Sequence, residues 1–152
     1  VPRSYLSLGS NLGDRGEHLR EGLRLVVGTD PYRVSSVYET EPVGGVVQDD
    51  FWNIVVELDC NDSPRELLER CRRAETARER TRELRWGPRT LDVDVLLIEG
   101  VTSTDPEIEV PHPRMYERSF VLVPLAELAP ALVLEEQLLA ARGEVRSLGT
   151  LL

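Results

Sequence analysis

Apolar and polar positions alternate along this chain in a way that separates strands from helices before any chemistry is considered. Ser4 to Leu8 reads as a short strand that ends in the turn Gly9-Ser10-Asn11-Leu12-Gly13. Asp14, with Glu17 three residues on, makes a capping-box pattern; Leu19, Leu23, Val26 and Val27 then recur at helical spacing until Gly28 closes the segment. Tyr32 to Tyr38 is rich in β-branched and aromatic residues and predicts a second strand, and Phe51 to Leu58 predicts a third beyond a Gly- and Pro-containing loop. Ser63-Pro64-Arg65-Glu66 carries a serine cap, proline at the first helical position and glutamate at the capping-box position. Leu67, Leu68, Cys71 and Ala74 continue that helix, which should end after Ala77 because Trp86-Gly87-Pro88 cannot extend it. Leu91 to Ile98 is a fourth strand, Asp105 to Pro113 a loop with one short extended piece, and Phe120 to Leu128 an apolar helix.

The order β-α-β-β-α-β predicts an α+β domain of the ferredoxin-like, split βαβ kind. In it an antiparallel sheet carries its helices on one face, and a C-terminal extension follows. Residues 1–152 read as one domain, since no repeat, low-complexity tract or linker interrupts them. No apolar run approaches the roughly 20 residues that cross a bilayer, and no signal-like stretch precedes the first strand, so the expected location is the cytoplasm. A monomer is expected rather than an oligomer.

Charge narrows the chemistry. A net charge of −9 argues against a nucleic-acid or membrane-surface partner held by general basicity. Every one of the 18 basic residues is arginine, so lysine chemistry is excluded, whether as a phosphate-loop lysine or a Schiff base. Cys60 and Cys71 lack metal-ligand spacing, and Cys71 falls on the apolar stripe of its helix, where a thiol is a small buried hydrophobe.

The residues left to carry chemistry converge on one stretch. In Leu91-Asp92-Val93-Asp94-Val95 the two aspartates share a strand face, about 7 Å apart, and repel each other unless a cation lies between them. Mg²⁺ suits such a pair, because it completes its shell with water and substrate phosphate oxygens. Upstream, nine arginines lie between Arg65 and Arg89 against five acids, a local +4 within an acidic protein. Pairs at i,i+4 on the helix account for Arg65, Arg70 and Arg73; Arg80, Arg82, Arg85 and Arg89 lie where the helix should be ending, and form a phosphate clamp of planar donors. His112 stands in the rigid Pro111-His112-Pro113, Arg118 lies beside Phe120, and His18 reads as a surface residue. Phe51 and Asn53 put an aromatic face and an amide on one side of a strand, suited to a flat heterocycle.

Together these residues resemble the 6-hydroxymethyl-7,8-dihydropterin pyrophosphokinase family over about 5–130. The most specific piece is Arg85-Trp86-Gly87-Pro88-Arg89-Thr90-Leu91-Asp92-Val93-Asp94, supported by the Gly9–Gly13 turn, Tyr38-x-Thr40-x-Pro42-x-Gly44, Phe51-x-Asn53, Val110–Arg114 and Arg118-x-Phe120. The resemblance implies transfer of pyrophosphate from ATP to the pterin's hydroxymethyl oxygen, with AMP released. It implies two Mg²⁺ ions on Asp92 and Asp94, with Arg80, Arg82 and Arg89 as further catalytic residues. Leu68, Glu75, Arg82, Trp86, Arg89, Val95, His112 and Arg118 would contact ATP. Asn11, Thr40, Pro42, Val43, Phe51, Asn53, Trp86, Asp92 and Phe120 would contact the pterin.

Four positions depart from the family pattern: Arg72 where glutamine is frequent, Phe51 in place of the commoner tyrosine, and the acidic Glu107 and Glu109 beside a phosphate-facing loop. A competing reading is a non-catalytic ferredoxin-like module that binds a nucleotide or RNA. It leaves the aspartates unexplained, because without a metal they would repel a polyanion.

Overall fold

The computed structural model describes residues 2–41, 48–78 and 90–151. Its centre is the strand β1 (Arg3–Ser10), buried along its whole length except at Arg3. A strand with both faces covered needs packing layers above and below, and both are present. Beside it lie β4 (Phe51–Asp59) and β5 (Asp92–Ile98), each antiparallel to β1. Beyond β4 come β2 (Tyr32–Val34) and β3 (Val37–Thr40), and β3 is flanked in turn by β8 (Val145–Gly149). The strand order is β5-β1-β4-β3-β8, with β2 also on β4.

Helices α1 (Arg15–Val27) and α2 (Pro64–Ala77) cover one face, where Leu19, Leu23, Val26, Leu67 and Cys71 meet Leu6, Leu8, Ile54, Val56, Val93 and Val95. The expectation of helices on one face holds for these two alone. The helix α3 (Ser119–Leu128) lies on the opposite face, packing Val121, Leu122 and Leu125 on Tyr5, Val55 and Leu96. Its sequence explains this: six of its ten residues are buried, and so apolar a helix needs a broad apolar support. Losing either Leu122 or Leu125 to alanine would cost about 2–5 kcal/mol on the usual scale for core leucines.

The segment expected as one strand from Tyr32 to Tyr38 is two. The register moves by one residue between Val34↔Val56 and Tyr38↔Asn53, which inserts a bulge at Ser35–Val37. Ser35 fills the gap, its N–H donating to Val55 O (3.0 Å) and its hydroxyl accepting from Val55 N–H (2.9 Å). The bulge sets the side-chain phase of β3, so that Tyr38 and Thr40 face α3 and Tyr38 donates to Glu127 at 2.6 Å.

Both N-caps form, with the reciprocal capping box at the second. Asp14 accepts from Glu17 N–H, and Ser63 and Glu66 complete a capping box. Two arginines of α2, Arg65 and Arg70, do not pair as expected. Rather than pairing along their own helix, Arg70 bonds Asp62, Asp30 and the carbonyl of Val26, tying α2 to the end of α1. Arg65 reaches Asp105 (2.9 Å) and Glu107 (3.2 Å) on a hairpin of β6 (Ser103–Asp105) and β7 (Ile108–Val110); β7 is the one short extended piece expected there, and its pairing with β6 was not foreseen. The C-terminal extension is also structured, with α4 (Glu135–Ala140) preceding β8. Among the described residues no helix is long and apolar enough to cross a membrane, and both cysteines are free and buried.

Candidate functional site

Sheet register assembles the site. Asp92 pairs across the sheet with Gly9, Gly9 with Asn53, and Asn53 with Tyr38, so one transverse row carries a carboxylate, a bare backbone position and an amide. The neighbouring row on the same face places Asp94 opposite Ser7. Phe51 and Thr40 are paired one step further out, again on the side facing α3. Val93 and Val95 point the other way into the α1–α2 core, as strand alternation requires. Asp92 is partly exposed and Asp94 exposed, so both side chains reach solvent.

Gly9 has a role its sequence context did not signal. A Cβ built there would lie 2.8 Å from Asn53 Oδ1 and 3.5 Å from Phe51 Cδ1. The close approach lets Asn53, itself buried, keep a 2.9 Å bond from Nδ2 to Thr40 Oγ1. In the sequence Gly9 is only the first residue of the Gly9–Gly13 turn; register alone reveals the steric demand. Asn11, at the same turn, donates to Gln48 Oε1 (2.8 Å) and Asp49 O (2.9 Å), tethering the turn to the segment that leads into β4.

Arg118 stands at the start of α3 with its guanidinium 5.6 Å from the Phe120 ring centroid. Burial holds its pKa below the ordinary value, opposed by Asp94 and more weakly by Asp92, so the cation and both acids feel one another. His112 donates its backbone N–H to Leu96 O on the outer edge of β5 (2.7 Å). Burial pushes its imidazole pKa down, and the charge of Asp94 opposes this. Phe120 packs on the core beneath α3, on the same sheet face as Phe51 and Asn53.

A cleft of about 200 Å³ opens beside β5, bounded by Leu68 of α2, Asp94 and Val95 of β5, the β6–β7 hairpin and His112. Three of the nucleotide contacts implied by resemblance, Leu68, Val95 and His112, thus share one cavity with Asp94. Glu75 does not line it. Its carboxylate is buried and accepts from Val93 N–H at 2.9 Å, covering a donor on the outer edge of β5. Glu107 is offset by Arg65 and, at 3.7 Å, by Arg72, so the acid that departs from the family pattern is matched in charge by an arginine that also departs from it.

Arg80, Arg82, Arg85, Trp86, Arg89, Pro42 and Val43 lie outside the described residues. The approach to the arginine segment is visible at Arg78, whose Nε donates to His18 Nδ1 at 3.0 Å. His18 is therefore a half-buried acceptor rather than a simple surface residue. Burial first, and then the Arg78 charge, hold its pKa below the ordinary 6.5. Because the unfolded chain then binds the proton more readily, stability should fall as pH drops below about 6.5 and level off below the folded pKa. In urea unfolding between about pH 7 and pH 5.5, His18→Gln should show a shallower loss than the parent, and identical slopes would remove His18 from the account.

With an acid pair, an amide-bearing strand and a half-buried arginine gathered on one sheet face beside an open cleft, the class is a small α+β domain. The family model described as 7,8-dihydro-6-hydroxymethylpterin-pyrophosphokinase matches residues 5–130, and the chain belongs to that family. It is 48% identical to the 2-amino-4-hydroxy-6-hydroxymethyldihydropteridine pyrophosphokinase of Bacillus subtilis (strain 168), over 82% of this chain and 77% of that protein. To the protein of the same name from Methylorubrum extorquens it is 46% identical, over 88% and 87%. A third, from Pseudomonas aeruginosa, is 41% identical over 90% of this chain and 86% of its own length.

Proposed function

We propose that this chain transfers the β,γ-pyrophosphoryl unit of ATP to the hydroxymethyl oxygen of 6-hydroxymethyl-7,8-dihydropterin, releasing AMP, as a step of folate biosynthesis. The observation that carries the site assignment is the transverse row Asp92–Gly9–Asn53, with Asp94 in the next row and Arg118 and Phe120 on the same face. It sets an acid pair for the phosphate end of one substrate beside a polar, flat-walled position for the other. Small-molecule substrates rather than nucleic acid suit its net charge of −9, and a cytoplasmic monomer is part of the same reading.

In this reading the adenine enters the cleft against Leu68 and Val95. Since Val93 N–H faces outward to Glu75, strand alternation turns the peptide groups of Val95 outward as well, where they can meet the edge of a base. The triphosphate then runs past His112 and Arg118 toward Asp94 and Asp92. The pterin lies between Phe51 and Phe120, its edge hydrogen-bonded by Asn53. The acceptor oxygen forms a bond to the β-phosphorus, the bond from that phosphorus to the oxygen bridging to the α-phosphate breaks, and the hydroxyl proton is lost. Arg80, Arg82 and Arg89 are assigned to the phosphates and Trp86 to closure over the site, on resemblance. Arginine suits these tasks because its charge is permanent and its donors are paired in one plane.

Among the described residues no group of three or more potential ligands could hold a metal by itself. Two carboxylates on one strand face nevertheless fit Mg²⁺, which takes one or two protein carboxylates and the rest of its shell from phosphate and water. Asp92 and Asp94 would hold it, two ions with ATP bound, and it would neutralise phosphate charge and lower the pKa of the acceptor hydroxyl. The strand order 4-1-3-2 among the first four strand positions, with β2 and β3 counted as one broken strand, supports the ferredoxin-like assignment.

Mixing the protein with Mg-ATP and the hydroxymethyl-dihydropterin should yield AMP and the pterin pyrophosphate in equal amounts. Formation of ADP would mean single-phosphoryl transfer and would overturn the proposal.

A further inference from the structure

We propose that residues 142–146, which lie beyond the family-matched 5–130, form a strap that sets the acceptor half of the site, with Arg146 as a positioning residue for the wall that meets the pterin. This rests on the assignment of Thr40, Phe51 and Asn53 to that substrate.

One end of the strap holds the start of α3. Arg142 N–H donates to Glu117 O (3.0 Å) and Ser119 N–H donates to Arg142 O (3.1 Å), so two backbone bonds bracket Arg118. Only three residues later the chain becomes β8 and pairs Val145 with Thr40, Arg146 with Glu39 and Ser147 with Tyr38. The two walls of the site are thereby joined by a few residues of taut chain.

At the other end Arg146 closes a ring of polar contacts. Its Nη2 bonds the Glu39 carboxylate and lies 3.3 Å from Asp50 Oδ2. The second oxygen of Glu39 accepts from Trp52 Nε1 at 3.0 Å. Arg15 stacks on Trp52, 4.5 Å from the ring centroid, and its Nη1 donates to Asp50 O at 2.8 Å, returning to where Arg146 began. The ring fixes residues 39, 50 and 52. Each is the immediate neighbour of a residue on the opposite face that the pterin is assigned to meet: Thr40, Phe51 and Asn53. Because adjacent residues in a strand point to opposite faces, a ring behind the sheet fixes the backbone that aims the side chains in front of it.

Arg146 is well suited to local rather than global control. Its side chain is 66% exposed, and ion pairs so open contribute little to overall stability. A single nitrogen, Nη2, meets both carboxylates, so a lysine ammonium can keep part of the contact.

The test uses the full chain with Arg146→Ala and Arg146→Lys. Arg146→Ala should raise the KM for the dihydropterin about 5- to 10-fold while the KM for ATP stays within about 2-fold, with Arg146→Lys intermediate. In the absence of substrates, amides of residues 38–40 and 51–53 should exchange faster in Arg146→Ala, with the thermal midpoint nearly unchanged. Unchanged exchange at those amides, or a parallel rise in both KM values, would overturn the strap. Absence of turnover in the parent protein would instead overturn the assigned activity, and the exchange comparison would still decide the strap.

Discussion

Alanine at Asp94 should lower the rate of AMP release by at least ~10³-fold, the scale expected when a charge that holds the phosphate end of the site is removed. The reasoning is electrostatic. Asp94 borders the cleft beside β5, and its charge is felt by both His112 and Arg118. Removing it leaves Arg118 without that counter-charge and, on the proposed assignment, the polyphosphate without half of its divalent anchor. The side chain is exposed, so the fold should survive: the thermal midpoint should stay close to the parent's and the loss should appear in turnover. Asp94→Asn, which keeps the shape but not the charge, should lose nearly as much. Near-normal turnover in either variant, measured with Mg-ATP in excess, would move the metal site away from β5.

Gly9→Ala should reduce kcat/KM for the dihydropterin on the order of 10²-fold, the cost of misplacing a positioning group by about 1 Å. The added methyl would lie 2.8 Å from Asn53 Oδ1, a separation that forces a shift. Asn53 cannot yield freely, because it is buried and bound to Thr40. The amide would have to turn, and the edge it presents to the heterocycle would turn with it. The KM for ATP should change much less, since the cleft beside β5 is formed by other residues. Equal losses for the two substrates would mean that the methyl deforms β1 as a whole; an unaffected acceptor would mean that Asn53 does not read it.

How much of this was legible in the residue order depends on range. The caps at Asp14 and Ser63, the end of α2 at Ala77 and the core phase of Leu91, Val93 and Val95 are local, and each follows from spacing within a few residues. The aspartate pair was legible for the same reason, because two residues apart on a strand means one face. Less legible was the bulge at Ser35–Val37, since only pairing with β4 shows that one residue is extra. Arg65 and Arg70 of α2 were misassigned to their own helix. Their partners, Asp30, Asp62, Asp105 and Glu107, are distant in sequence or lie beyond the helix, so helical spacing could not reveal them.

Short-range covalent geometry and the apolar period thus sufficed for β1, α1, β4, α2 and β5 and for the acid pair, while the residue order itself carries the family signature between residues 85 and 94. Tertiary packing alone decided that α3 covers the face opposite α1 and α2, that Gly9 is the bare position between Asp92 and Asn53, and that the tail returns as an edge strand beside Thr40. The physical reason is that strand register and helix placement minimise exposed apolar surface over the whole chain at once. Which residues become neighbours across a sheet is therefore a property of the assembled layers, carried by no single segment.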